Sequence, residues 1–136
     1  MRFLSIYKAA ETNTPPTTEH FAEMGRLIEE SMRNGTLLAT EGCLPSAKGA
    51  RVRRSGGKVT ITDGPFTESK ELIAGFAILQ ASSKAEAIEL AKQFLEVAGE
   101  GECELRQIAE MSDFGPEFTP ELREQEERLR AAAAKR

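Results

Sequence analysis

Leu72-Ile73-Ala74-Gly75-Phe76-Ala77-Ile78-Leu79-Gln80-Ala81-Ser82-Ser83-Lys84-Ala85-Glu86 is the stretch on which the fold turns. Its first nine residues form an apolar run of strand length, which predicts a central strand. Ser83-Lys84-Ala85-Glu86 is a capping box, in which a hydroxyl and a carboxylate satisfy orphan amides at a helix start. The helix it opens has a core stripe of Ala87, Ile88, Ala91, Phe94 and Leu95, and Gly99 sits where a C-terminal glycine belongs. Glu102–Ala109 follows as a further strand. The half is therefore a βαβ unit.

Working back from Leu72, the N-terminal half repeats the pattern. Residues 2–8 alternate as a strand, with Leu4 and Ile6 against Phe3 and Tyr7. Glu11-Thr12-Asn13-Thr14-Pro15-Pro16 breaks it, and Thr17 or Thr18 supplies an N-cap. Phe21, Met24, Leu27, Ile28 and Met32 then recur at helical spacing as one apolar stripe, and Asn34-Gly35 ends the helix. Thr36–Cys43 reads as a strand with Leu37, Ala39, Glu41 and Cys43 on one face. Between the halves, Arg51–Arg54 and Lys58–Asp63 form an inserted hairpin around Ser55-Gly56-Gly57.

Two βαβ halves with both helices on one sheet face make an α+β ferredoxin-like sandwich. The other face carries apolar residues and needs a cover, so a homodimer is expected. The core domain spans 1–111. Residues 112–136 form an extension, with Thr119-Pro120-Glu121 opening a charged helix over 120–134 and Glu124→Arg128 and Glu126→Arg130 as its ion pairs.

The 136 residues suit one domain, and 40% hydrophobic with 29% charged residues exclude a disordered chain. No apolar run reaches the roughly 20 residues of a membrane helix, and Met1–Tyr7 enters a strand without a signal-peptide pattern. A cytoplasmic location is the expectation. A net charge of −4 argues against general nucleic-acid binding, which requires a basic face. Cys43 and Cys103 lack paired spacing and read as two buried reduced thiols. With one histidine, His20, and no metal-ligand spacing, no metal or other cofactor is expected. Ser55-Gly56-Gly57 lacks the following helix of a phosphate cradle.

The segment Asp63-Gly64-Pro65-Phe66-Thr67-Glu68-Ser69-Lys70-Glu71 lies between two strands. Gly64-Pro65 is a stiff turn, Asp63 can bond the amides of that turn, and Phe66 can anchor the loop. A rigid capped loop explains these residues as well as an active site does. The nine residues resemble the signature of the DGPF-domain proteins of the YciI-like group. The likeness extends to Glu41-Gly42 and Pro45, Gly75-Phe76, Glu104-Leu105-Arg106 and the tail from Phe114 to Arg123. It implies a ferredoxin-like chain that dimerises into a shared α+β barrel, without a settled activity. It also implies, for some members, an association with extracytoplasmic-function sigma factors. Relatives carry a histidine near the start of the first helix with an acidic partner as a proposed catalytic pair. On that pattern His20 and Asp63 are the catalytic candidates. His20 stands about one helical turn nearer the N-terminus than its spacing to Gly35 would place it.

Tyr7, Glu41, Arg53 and Lys70 are the further polar residues that strand and loop ends could gather in a cleft to bind substrate. A histidine beside a carboxylate can act as a general base near neutral pH. The plain alternative for His20 is an exposed first-turn residue. For Glu41 it is an ion pair with Arg53 or Lys70, since a carboxylate on an apolar strand face needs a partner. Three readings stand: a dimeric small-molecule-binding protein, with a catalytic version that uses His20 and a carboxylate; an interaction module for a sigma factor; or a structural dimer without ligand.

Overall fold

A computed structural model describes residues 1–67 and 72–135. Among the described residues six strands form: β1 (Arg2–Ala9), β2 (Leu37–Gly42), β3 (Ala50–Ser55), β4 (Lys58–Asp63), β5 (Leu72–Gln80) and β6 (Glu102–Gln107). Three α-helices accompany them among the described residues: α1 (Thr18–Arg33), α2 (Lys84–Ala98) and α3 (Pro120–Ala134). Four strands make one antiparallel sheet in the order β2-β5-β1-β6, with β5 central as its apolar run predicts. That order, with α1 and α2 as crossovers, is the ferredoxin-like arrangement. Among the described residues β3 and β4 pair only with each other, through a Gly56-Gly57 turn in which both residues have positive φ.

Register separates the two faces of the sheet. Phe3↔Leu79, Ser5↔Ala77 and Tyr7↔Gly75 form one row of partners, and Leu4↔Ile78 and Ile6↔Phe76 the other. Phe3 and Leu79 pack with Ala81 and Ala87 as the buried core, supported by Leu37, Leu90 and Leu105. The first row therefore faces the helices, and the second lies on the face they leave uncovered.

In β2, Leu37 opposes Leu79 while Ala39 opposes Ile78, so an extra residue is accommodated at Leu38. A bulge of this kind moves every later side chain to the opposite face. The strict alternation Leu37-Ala39-Glu41-Cys43 therefore fails after Leu37. Leu37 and Thr40 join the helix-facing row, whereas Glu41 opposes Phe76 on the other side. Glu41 is exposed, so it needs no partner for burial.

The hydroxyl caps of both helices form as expected, but the Glu86 carboxylate of the expected capping box bonds the Ser82 hydroxyl and not a backbone amide. The Thr17 hydroxyl accepts from the His20 amide at 3.1 Å, and the Ser83 hydroxyl accepts from the Glu86 amide at 3.1 Å. α2 seats Ala87 and Ala91 against the sheet, and Ile88 lies 39% exposed at the edge of the expected stripe. α1 differs: no residue of it is buried, and Phe21 is 64% exposed although it belongs to the apolar stripe. This helix stands off the sheet instead of closing onto it.

Beyond β6 the chain is tied back by Arg2, whose guanidinium donates two hydrogen bonds to Glu110, at 3.0 and 3.2 Å. In α3, Glu126 pairs with Arg130 at 2.8 Å; the expected Glu124–Arg128 pair does not form. α3 buries none of its residues.

Candidate functional site

The gap under α1 is a cleft of about 490 Å³, bounded by α1, α2 and the helix-facing row of the sheet. Met24, Leu27 and Ile28 of α1 form one wall, Phe94 of α2 another, and Leu79 and Ala77 of β5 part of the floor. The stripe that reads as core in the sequence thus lines a cavity. No sequence signal separates the two outcomes, because both need the same apolar helix face.

Tyr7 sits at one end of the cleft. Its ring meets Phe94 edge-on, with centroids 5.1 Å apart, and its hydroxyl donates to the Glu100 carbonyl at 2.8 Å. Gly101 makes room for it, because a Cβ there would collide with the Tyr7 ring and the Lys8 carbonyl. Burial holds the Tyr7 phenol above its ordinary pKa, and Cys103 and Glu100 push the same way. The phenol is therefore a protonated donor at neutral pH.

His20 lines the cleft from the first turn of α1 and is half-buried. Its backbone amide is used by the Thr17 cap, and among the described residues its ring makes no hydrogen bond or ion pair. Glu41 borders the same cleft from the end of β2. Tyr7, His20 and Glu41 are thus brought together around one cavity. Arg53 and Asp63 are not among its walls: both are exposed on the β3–β4 hairpin, where Asp63 opposes Ala50 at the base. Lys70 lies outside the described residues.

The described part of the signature loop is built by contacts no local pattern announces. Glu11 accepts from the Ser46 amide and from its hydroxyl, and Ser46 Oγ accepts from the Phe66 amide at 3.1 Å. A Cβ on Gly64 would overlap the backbone of Ser46, so this glycine is required by close approach. The Gly64–Pro65 peptide is cis. The Arg51 guanidinium lies over the Phe66 ring, 3.9 Å from its centroid. Glu11 and Ser46 belong to separate loops, and only the folded chain places them beside Phe66.

Among the described residues no cluster of three His, Cys, Asp or Glu side chains could hold a metal ion. Both cysteines are free. Cys43 is exposed rather than buried, because it follows β2 beyond the packed part of the sheet. Cys103 is half-buried opposite Tyr7; burial raises its thiol pKa, the Ser5 side chain opposes that, and Glu102 adds to it. A thiol held in that form is a weak nucleophile.

A four-stranded antiparallel sheet, two helices on one face, a lateral hairpin and a ligand-sized cleft define a ferredoxin-like α+β domain with a candidate binding site. The chain belongs to the YCII-related domain family, whose family model matches residues 1–112. An uncharacterised protein of Rhizobium meliloti (strain 1021) is 33% identical over 67 residues, which are 48% of this chain and 54% of that relative. The chain thus spans about half the length of the curated relative it matches. Among the described residues no helix is long and apolar enough to cross a membrane.

Proposed function

We propose that the protein is a dimeric, cytoplasmic small-molecule-binding protein whose ligand occupies the cleft under α1. The observation that carries this reading is the cavity itself. Its volume of about 490 Å³ falls in the range of ligand sites, roughly 300–1,000 Å³. Its walls are mainly apolar, with Tyr7 and His20 as polar groups that could orient a ligand. The uncovered row Leu4, Ile6, Phe76 and Ile78 supports pairing with a second copy. In the catalytic version, His20 accepts a proton from the bound ligand. Neither carboxylate candidate assists it from within the cleft: Asp63 stands on the hairpin, and the register of β2 puts Glu41 on the opposite face of the sheet.

The test is a thermal-shift screen of metabolites on the full chain. Tyr7 is the sole tyrosine and tryptophan is absent, so intrinsic emission reports directly on the cleft. A ligand at about 100 times its Kd adds roughly 2.7 kcal/mol of stability. Hits are expected to change Tyr7 emission and to lose most of their effect in His20→Ala. Hits that leave the emission unchanged would place the ligand elsewhere. Equal stabilisation of the parent and His20→Ala would remove His20 from the site.

A second reading, an interaction module for an extracytoplasmic-function sigma factor, draws on α3, which buries no residue and is densely charged. Loss of sigma-factor capture on deleting residues 119–136 would support it. No binding of the full chain at micromolar concentration would count against it.

A further inference from the structure

The β3–β4 hairpin stands outside the packing of its own chain. Every residue of both strands is exposed, and neither strand joins the four-stranded sheet. Register puts Ala50, Val52, Arg54, Val59, Ile61 and Asp63 on one face, with Val52 directly opposite Ile61. Val52, Val59 and Ile61 are 71%, 62% and 68% exposed. An isolated two-stranded ribbon is marginal in water, and a face with three large aliphatic side chains makes it less soluble without a cover. The polar face is the one that meets the rest of the chain, through Arg51 on Phe66.

We propose that this hairpin is an arm whose apolar face packs on a second copy of this chain. Charge selects that occupant. Arg51, Arg53, Arg54 and Lys58 against Asp63 give the arm a net +3, and the chain's formal −4 leaves −7 for everything outside it. A basic arm and an acidic body attract between copies. The body also offers an apolar seat, the uncovered row Leu4, Ile6, Phe76 and Ile78, bordered by Glu41 on β2 and by Arg106, Glu104 and Glu102 on β6. Each copy thus carries both halves of the contact, which is the condition for a closed two-fold exchange. The inference extends the dimer proposed above by assigning the element that grips the partner.

The experiment uses the full chain. Light scattering after size exclusion, with a dilution series, gives the dimer dissociation constant of the parent, of Val52→Asp/Ile61→Asp and of Thr60→Asp/Thr62→Asp. The second pair lies on the opposite face of the arm and carries the same added charge. The first pair is expected to weaken the dimer at least about a hundredfold, two decades in Kd, and the second by much less. Hydrogen exchange on the parent gives a readout independent of any variant. Amides of residues 50–63 are expected to be protected at dimer concentrations and to lose protection on dilution. Equal weakening by the two pairs, a monomeric parent, or protection independent of concentration would each overturn the arm. Cleft binding by a parent that is monomeric would leave the ligand reading standing while removing the arm, so the two fail separately.

Discussion

A Cβ at Gly64 has nowhere to go. The Ser46 backbone occupies that space, and Ser46 also links Glu11 to Phe66. Gly64→Ala must therefore push the two loops apart. Overpacking of this kind costs about 1–3 kcal/mol. Chemical denaturation of the variant is expected to show a loss in that range, with hydrogen exchange rising at Ser46 and Phe66. A loss under about 0.5 kcal/mol would mean that the loops part freely. Tyr7 makes a second prediction at this scale. Its folded pKa is raised, so the folded chain keeps the phenolic proton longer than the unfolded chain. That contribution to stability is complete below the unfolded value of about 10 and is lost as pH rises through the folded one. Ultraviolet titration of this single tyrosine is expected to give a midpoint above 10 in the native chain, and a lower one in denaturant. A native midpoint at or below 10 would contradict the packed phenol.

The elements were largely legible, because their signals are local. The Thr17 cap, the Ser83 start of α2, the Gly56-Gly57 turn and the Pro120–Ala134 helix all depend on neighbours in sequence. What local pattern does not contain is the depth at which a helix seats. Ala87 and Ala91 let α2 approach the sheet, whereas α1 presents Phe21, Met24, Leu27 and Ile28 and stands off, leaving the cleft. The bulge at Leu38 was equally hidden, since it follows from pairing with β5 and not from the β2 sequence itself. It is also why the argument that Glu41 needs a partner does not hold. The candidate site was legible in part: Tyr7 and His20 line one cavity, Glu41 borders it from the other face of the sheet, and Asp63 and Arg53 follow the hairpin away from it. Thr17 tests the rigidity of α1 as a cleft wall. Thr17→Ala removes the acceptor for the His20 amide and is expected to cost about 1 kcal/mol, with fraying at His20. Thr17→Asn restores an acceptor and is expected to recover most of the loss. Equal loss in both variants would assign the effect to something other than capping.

At the scale of the molecule, two ion pairs tie β1 to chain segments about a hundred residues away. Lys8 meets Glu104 of β6 at 2.8 Å, and Arg2 meets Glu110 beyond β6 at 3.0 Å. Each basic partner holds its carboxylate below the ordinary range: hydrogen bonding and charge from Lys8, then Arg106, act on Glu104, and Arg2 acts on Glu110. A carboxylate with a depressed folded pKa adds stability that is present above its unfolded value, about 4.3, and lost as pH falls through the folded one. The side chains of both pairs are partly exposed, so salt screens the pairs and each contribution is modest. The expected pattern is therefore a difference that depends on both pH and salt. Glu104→Gln and Glu110→Gln should melt below the parent at neutral pH and low salt. The gap should narrow as salt is raised and close as pH falls well below 4. Because the two carboxylates anchor different segments, their effects should add when combined. A gap that persists unchanged in acid would mean that the side chains act through packing, and the tie between β1 and the end of the domain would then not be electrostatic.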